Sequence, residues 1–393
     1  MTTPTESGST DPVPEVPEWW IFHGTGQPRP HLDLLTQLPP PPQWRSFGGR
    51  PDRCEPPHDE TSGRYLGPAR TRGFAIPLGP ERKDLLDKVN AAIHLRRPLL
   101  LVGPPGVGKS SLAHQISREL RLGRVLRWPV TSRSTVRDGL YSYDPLTQIH
   151  DLNLENARAR ITGAEGSPGS EARNGSEDRS GTEEQEGAEG RSGTSARSIG
   201  RYLALGPLGT AFLPAQLPRV LLVDDFDLGD FDLSGDLLDL FESGGFHVPE
   251  LARLAGVAER IAVATDDPGR PVSVERGRVL CSAFPIVVLT CNNERDLPPA
   301  FMRRCIPVRM GLPREEELLA AVAGHFDGNL PTGTRDLVTK FLDAGVHGDQ
   351  LALDQLLNAV HLVGQLDRGA GPTPEQVDHL AELLWHRLTE PPV

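Results

Sequence analysis

The amino-acid sequence predicts an α/β fold, with a parallel sheet flanked by helices and a small α-helical domain at its C-terminal end. Three observations carry the prediction. The apolar runs "LLLV" (Leu99 to Val102), "VLLV" (Val220 to Val223) and "FPIVVLT" (Phe284 to Thr290) are continuous rather than alternating, as in strands buried on both faces. Helical periodicity separates them, as in "ERKDLLDKVNAAIHLRRP", where Leu85, Leu86, Val89 and Ile93 share one face, and in "SSLAHQISREL". From Leu312 onward, "REEELLAAVAGHF", "RDLVTKFLDAG", "LDQLLNAVHLV" and "PEQVDHLAELLWHRL" repeat that spacing between Gly- and Pro-marked breaks.

In chain order, residues 1–72 read as a leader and a strap. The Thr-, Ser-, Pro- and Glu-rich start has no periodicity and cannot order itself. "WWIFHGTG" (Trp19 to Gly26) and the polyproline run Pro39 to Pro42 follow. They read either as an SH3-type ligand or, in the favoured reading, as an extended strap whose Trp19, Trp20, Phe22 and Trp44 dock on the main domain, because isolated exposed aromatics are costly. Residues 73–311 form the α/β domain and 312–393 the helical one. Within the first, a stretch of Gly, Ser, Glu and Arg at about 163–198 has almost no apolar residue and reads as a disordered insertion.

The chain has 393 residues, 37% of them apolar, enough for at least one large core. A net charge of −12 and a pI near 5.5 argue against nucleic acid or an anionic membrane as the main partner. Cys54, Cys281, Cys291 and Cys305 stand far apart without a CxxC pair, so neither a zinc ribbon nor a disulfide framework is indicated. The N-terminus lacks the basic start and apolar run of a signal peptide, and no stretch reaches the roughly 18 apolar residues of a membrane span. The expected location is cytoplasmic.

Lysine occurs only at Lys83, Lys88, Lys109 and Lys340 among 41 basic residues, so a lysine in a special place is informative. Lys109 stands in one. "GPPGVGKSS", comprising Gly103, Pro104, Pro105, Gly106, Val107, Gly108, Lys109, Ser110 and Ser111, fits G-x4-G-K-[ST] between a strand and a helix. In that pattern the glycines let backbone N–H groups wrap phosphates, the helix N-terminus adds its dipole, Lys109 reaches the β and γ phosphates of ATP, and Ser110 is a Mg2+ ligand.

The second run ends on Asp224 and Asp225, in "RVLLVDDFDLGD". A carboxylate at the tip of such a strand holds Mg2+ directly or through water, which assigns Asp224 to the metal and Asp225 to the water-activating position. The third run ends in "TCNN", where Asn292 is the first candidate and Asn293 the second for orienting an attacking water. In "PPAFMRRC", Arg303 and Arg304 follow a short helix. Either one reads equally as a surface arginine paired with carboxylates or as a guanidinium offered to a neighbour's γ-phosphate, which stabilises transition-state charge by about 10³–10⁵ in rate.

In this order, these features resemble AAA+ ATPases, and most closely their MoxR-type branch, over about residues 73–393. The resemblance also rests on "VNAAIHLRRPLLLVGPPGVGKSSLA", "RWPVTSRSTVRDGLYSYD", "IGRYLALGPLGTAFLP", "LLDLFESGGFHVPEL" and "NNERDLPPAFMRRC". It implies a P-loop AAA+ core with a helical lid, and ATP and Mg2+ as cofactors. It makes Asn292 the first sensor and Arg304, then Arg303, the finger acting across a subunit interface. It further implies a homo-oligomeric ring, hexameric in the family, acting on a protein client such as one with a von Willebrand A domain. Two β-hairpins facing the client are implied, at Gly200 to Leu213 and within "RIAVATDDPGRPVSVERGRVL", with its turn at "DDPGRP".

Two departures from the family stand out. Relatives carry glutamate where this chain has Asp225, and a basic second-sensor residue in the lid where it has "GDQLALDQLL", Gly348 to Leu357. Aspartate is one methylene shorter, and a misplacement of about 1 Å can cost roughly 10²-fold in rate. The expectation is a Mg-dependent ATPase that remodels a partner protein, with a slow nucleotide-gated switch or scaffold as the alternative. A DNA-remodelling relative such as a clamp loader is disfavoured by the acidic charge.

Overall fold

The computed structural model describes residues 16–29, 31–51, 55–69, 79–164, 199–292, 295–326, 328, 330–346, 351–366, 373, 375, 379 and 383–385. The leader expected at the N-terminus, nearly all of the insertion expected at 163–198, and most of the fourth helix expected in the C-terminal region lie outside them, as do Cys54, Asn293 and Gly348.

The strands, numbered along the chain, are β1 Leu99–Val102, β2 Leu126–Pro129, β3 Tyr141–Tyr143, β4 Leu203–Leu205, β5 Val220–Asp224, β6 Gly245–His247, β7 Arg260–Val263, β8 Val272–Glu275, β9 Arg278–Leu280, β10 Ile286–Cys291 and β11 Ile306–Arg309. The main sheet has five strands in the order β11-β1-β10-β5-β2, and β1 pairs in parallel with β10 and β11, as β2 does with β5. Every residue of β5 and β10 is buried, which is why both read as unbroken apolar runs. The outer strands β2 and β11 contain Pro129 and Pro307, tolerated where a ladder partner is missing on one side.

The chain divides into two compact units, one of residues 1–41, 58–125 and 286–393, the other of residues 42–57 and 126–285. In the first, Pro80 opens the helix Pro80–Leu95, where its missing N–H costs nothing. This helix and Lys109–Leu120 carry the strap. The Asn90 side chain accepts from the Ile21 and Phe22 amides at 2.8 and 2.9 Å and donates to the Phe22 carbonyl at 2.7 Å. Glu119, fully buried, accepts from the amides of His23, Thr25 and Gly26 and from the Thr25 hydroxyl. Of the aromatics expected to dock, Trp20 and Phe22 are buried, and Trp20 Nε1 donates to Asp87 at 2.9 Å, whereas Trp19 stays exposed, its ring tilted against that of His94.

The same unit holds the C-terminal helices Glu315–His325, Thr334–Val346 and Leu353–Leu366 around a core that includes Leu318, Val322, Leu337, Phe341, Leu356 and Val360. Trp385 meets Phe341 edge to face, with ring centroids 5.9 Å apart.

In the second unit, Phe212, Phe241 and Phe284 form an aromatic core, with Phe284 edge-on to the other two. Arg45 donates to the Phe241 carbonyl at 2.6 Å and lies over the Phe284 ring. Its neighbour Trp44 does not dock: it is 78% exposed, because the short 3-10 turn Gln43–Arg45 turns Arg45 inward in its place.

A four-stranded antiparallel sheet, β6-β9-β8-β7, contains the hairpin expected around "DDPGRP", with Val263 opposite Val272 across the turn. Gly200 to Leu213 is not a hairpin by itself. Its strand β4 pairs antiparallel with β3, and Pro207 starts the short helix Pro207–Ala211 where a second strand was expected, its fixed φ suiting a first helical turn.

Candidate functional site

The P-loop sits where the register of the first unit puts it. Val102 of β1 lies opposite Cys291 of β10, so Gly103 and Asn292, the next residue on each strand, emerge side by side at the C-terminal edge of the sheet. In open α/β sheets this edge is where ligands bind. The Gly103 amide donates back to the Cys291 carbonyl at 3.2 Å.

Each glycine of the loop has its own reason. A Cβ on Gly103 would lie 2.2 Å from the Met310 carbonyl oxygen. Gly106 has φ +80° and would place a Cβ 2.5 Å from Ala352 Cα, so the apex of the loop packs on the segment leading into helix Leu353–Leu366. Gly108, at φ +88°, has open space around it, and only its left-handed backbone demands glycine. Pro104 and Pro105 stiffen the entry, Val107 is buried, and Ser110 and Ser111 fall in the first turn of helix Lys109–Leu120.

Lys109 is buried, and its ammonium donates to the carbonyls of Gly103 and Pro104 and to Asn292 Oδ1, each at 2.7 Å. Two residues 183 positions apart are thereby brought into direct contact. Left-handed glycines, the start of a 12-residue helix, a buried ammonium and the Ser110 hydroxyl together suit the phosphates of a nucleotide and their counter-ion.

In the second unit, Asp224 ends β5 opposite Pro129 and is buried. Its Oδ2 accepts from Arg127 Nε at 3.0 Å and from Arg127 Nη2 at 2.7 Å. Arg127 was not among the expected site residues. Its signal lay in the alternation of "LRWP", which turns Leu126 and Trp128 to one face and Arg127 to the other. Asp225 follows with φ 56° and ψ 46°, a left-handed conformation that aspartate tolerates better than most residues. Asp224 suits a metal ligand by its place at a strand tip and its carboxylate chemistry.

Arg303 and Arg304 are exposed beyond the short helix Pro299–Met302, back in the first unit. Arg304 Nη1 donates to the Ala300 carbonyl at 3.4 Å. Their backbone is gripped by a residue that the sequence did not single out: Arg97 donates from Nε to the Arg304 carbonyl at 3.0 Å and from Nη2 to the carbonyls of Arg303 and Cys305. Burial pushes the pKa of the Cys305 thiol up to about 12, against the opposing influence of Arg97.

Residues 99–141 match the family model described as "ATPase family associated with various cellular activities (AAA)", a span that runs from the start of β1 through the P-loop to the start of β3. No curated protein matches the chain. Among solved structures, NtrX from Brucella abortus in complex with ADP aligns at TM-score 0.37 and 12% identity over 78% of this chain and 54% of that one. This chain therefore spans about half the length of that protein. The FIGL-1 AAA domain in complex with ADP aligns at TM-score 0.32 and 14% identity, over 79% of this chain and 78% of that one. Among the described residues no helix is long and apolar enough to cross a membrane.

Proposed function

We propose that this chain is an ATP-binding and ATP-hydrolysing AAA+ protein of the MoxR type, which works as a homo-oligomeric ring, hexameric by resemblance, and remodels a partner protein. The observation that carries the reading is the contact of Lys109 with Asn292 at the open end of adjacent parallel strands. The family match over the same P-loop supports it.

In this reading the amides of Gly103 to Ser111 bind the triphosphate, and Lys109 supplies a fixed positive charge to it. Asn292 orients the attacking water and Asp225 accepts its proton. A bond forms from the water oxygen to the γ-phosphorus as the β–γ bridging oxygen leaves with ADP. Ser110 and Asp224 would hold Mg2+, which neutralises phosphate charge when bound. Arg304, with Arg303 next, reaches the nucleotide of a neighbouring subunit, which is why the ring is part of the proposal. Residues 73–311 serve as the nucleotide-binding domain and 312–393 as its lid. The β7–β8 hairpin and the segment around β4 contact the client, a von Willebrand A-domain protein by resemblance.

The reading predicts that the full chain binds a fluorescent ATP analogue and that Lys109→Ala loses this binding. Equal affinity in the two proteins sinks it.

The short, left-handed Asp225 favours a second reading, in which the same site binds ATP and hydrolyses it too slowly for mechanical work. Single-turnover kinetics separates the two. A large gain for Asp225→Glu supports the slow switch, whereas fast wild-type turnover supports the engine.

A further inference from the structure

Arg97 lies between helix Pro80–Leu95 and β1, and the hydrogen bonds its guanidinium makes among the described residues go to main chain. It donates to three successive carbonyls, those of Arg303, Arg304 (3.0 Å) and Cys305 (3.3 Å). These carbonyls lie beyond the short helix Pro299–Met302, in the turn that leads into β11. One residue further on, the Ile306 amide donates to the Pro98 carbonyl at 2.8 Å, so the turn is pinned to the start of β1 from both its carbonyl and its amide side. The side chains of Arg303 and Arg304 stay exposed. The backbone is held, and of the two exposed side chains Arg304 donates from Nη1 to the Ala300 carbonyl at 3.4 Å.

We propose that Arg97 is the positioning residue for the arginine pair: it fixes the main chain that presents Arg304 and Arg303 to the nucleotide of a neighbouring subunit. The inference rests on the reading of that pair as a trans-acting finger. Its physical content is preorganisation. A charge held in place costs no reorganisation when the transition state forms, and a displacement of about 1 Å costs roughly 10²-fold in rate. Losing the finger altogether costs about 10³–10⁵-fold, so losing Arg97 should cost less than losing Arg304. Lysine should replace it only in part, because only the planar fork of arginine aims several donors at adjacent carbonyls.

The test uses the full chain, with assembly followed by sedimentation velocity. Arg97→Ala is expected to bind nucleotide as wild type does and to turn over about 10²-fold more slowly. Arg97→Lys is expected to fall between the two, and it serves in the same assays if the alanine variant folds poorly.

The discriminating readout is mixing with Asp225→Asn, which keeps its P-loop and its arginine pair. Arg97→Ala subunits keep an intact nucleotide site and Asp225→Asn subunits supply an intact finger, so mixed rings should recover activity that neither variant has alone. A role confined to folding of its own subunit predicts no recovery. Absence of recovery, or wild-type turnover by Arg97→Ala while Arg304→Ala is inactive, overturns this inference and leaves the finger reading standing. Wild-type turnover by both Arg304→Ala and Arg303→Ala overturns the finger reading, and this inference with it.

Discussion

Lys109 Nζ donates to Asn292 Oδ1 at 2.7 Å, which ties the P-loop lysine to the tip of the neighbouring strand. If Asn292 orients water while Lys109 binds phosphate, their substitutions should separate. Asn292→Ala should lower turnover by about 10²–10³-fold, the scale for loss of one preorganised polar group, with nucleotide affinity little changed. Parallel titrations and steady-state rates check this. A loss of affinity as large as the loss of rate would remove Asn292 from the chemistry.

The glycines of the loop make a graded prediction. Gly108→Ala meets no atom within 4 Å and should cost only the left-handed backbone penalty, about 1–2 kcal/mol. Gly106→Ala pays the same penalty and also drives a Cβ to 2.5 Å from Ala352 Cα. Thermal melts should therefore rank Gly106→Ala well below Gly108→Ala. The reverse order contradicts the packing of the loop apex on Leu351 and Ala352.

The strap depends on a few buried acceptors. Asn90→Ala strands the Ile21 and Phe22 amides and the Phe22 carbonyl, at about 1–3 kcal/mol for a buried group left without a partner. It should lower the melting temperature by several degrees and open residues 16–29 to limited proteolysis. Unchanged protease resistance there would mean that the strap is held by its apolar residues alone.

His325 gives a pH dependence. Burial holds its pKa below the ordinary 6.5, and nearby Arg118 adds to this, while the Tyr65 carbonyl that it meets opposes it. The unfolded chain thus takes up the proton more readily than the folded one. Its contribution to stability is complete above about pH 6.5 and is lost as the pH falls through that value toward the lower folded one. His325→Gln should flatten the fall in melting temperature between about pH 7 and 5. An unaltered slope would assign the acid sensitivity to other groups.

What the sequence disclosed, and what it hid, follows from how each feature is encoded. The parallel strands β1, β5 and β10 were visible because burial on both faces forces continuous apolar runs, and the P-loop because its glycines are backbone requirements at fixed spacing. The pairing of β4 with β3 was not visible, since the partner strand lies on the far side of residues 144–202 and pairing between short strands leaves little trace in either. Nor was the grip of Arg97 on the turn at Arg303, because a contact to carbonyl oxygen selects no residue type at the other end. Arg127 beside Asp224 was overlooked for a different reason: a strand arginine pointing away from the apolar face looks like an ordinary solvated residue until the neighbouring strand is known. Trp44 shows the opposite error, an aromatic expected to dock that the turn leaves exposed.

The most direct test of the account is ATP turnover per subunit, measured across chain concentrations that span assembly, for wild type and Arg304→Ala. The account predicts that wild-type turnover per subunit rises as the ring assembles and that Arg304→Ala assembles without this rise. Turnover that is the same at every concentration, or unaffected by Arg304→Ala and by Arg303→Ala, would contradict it.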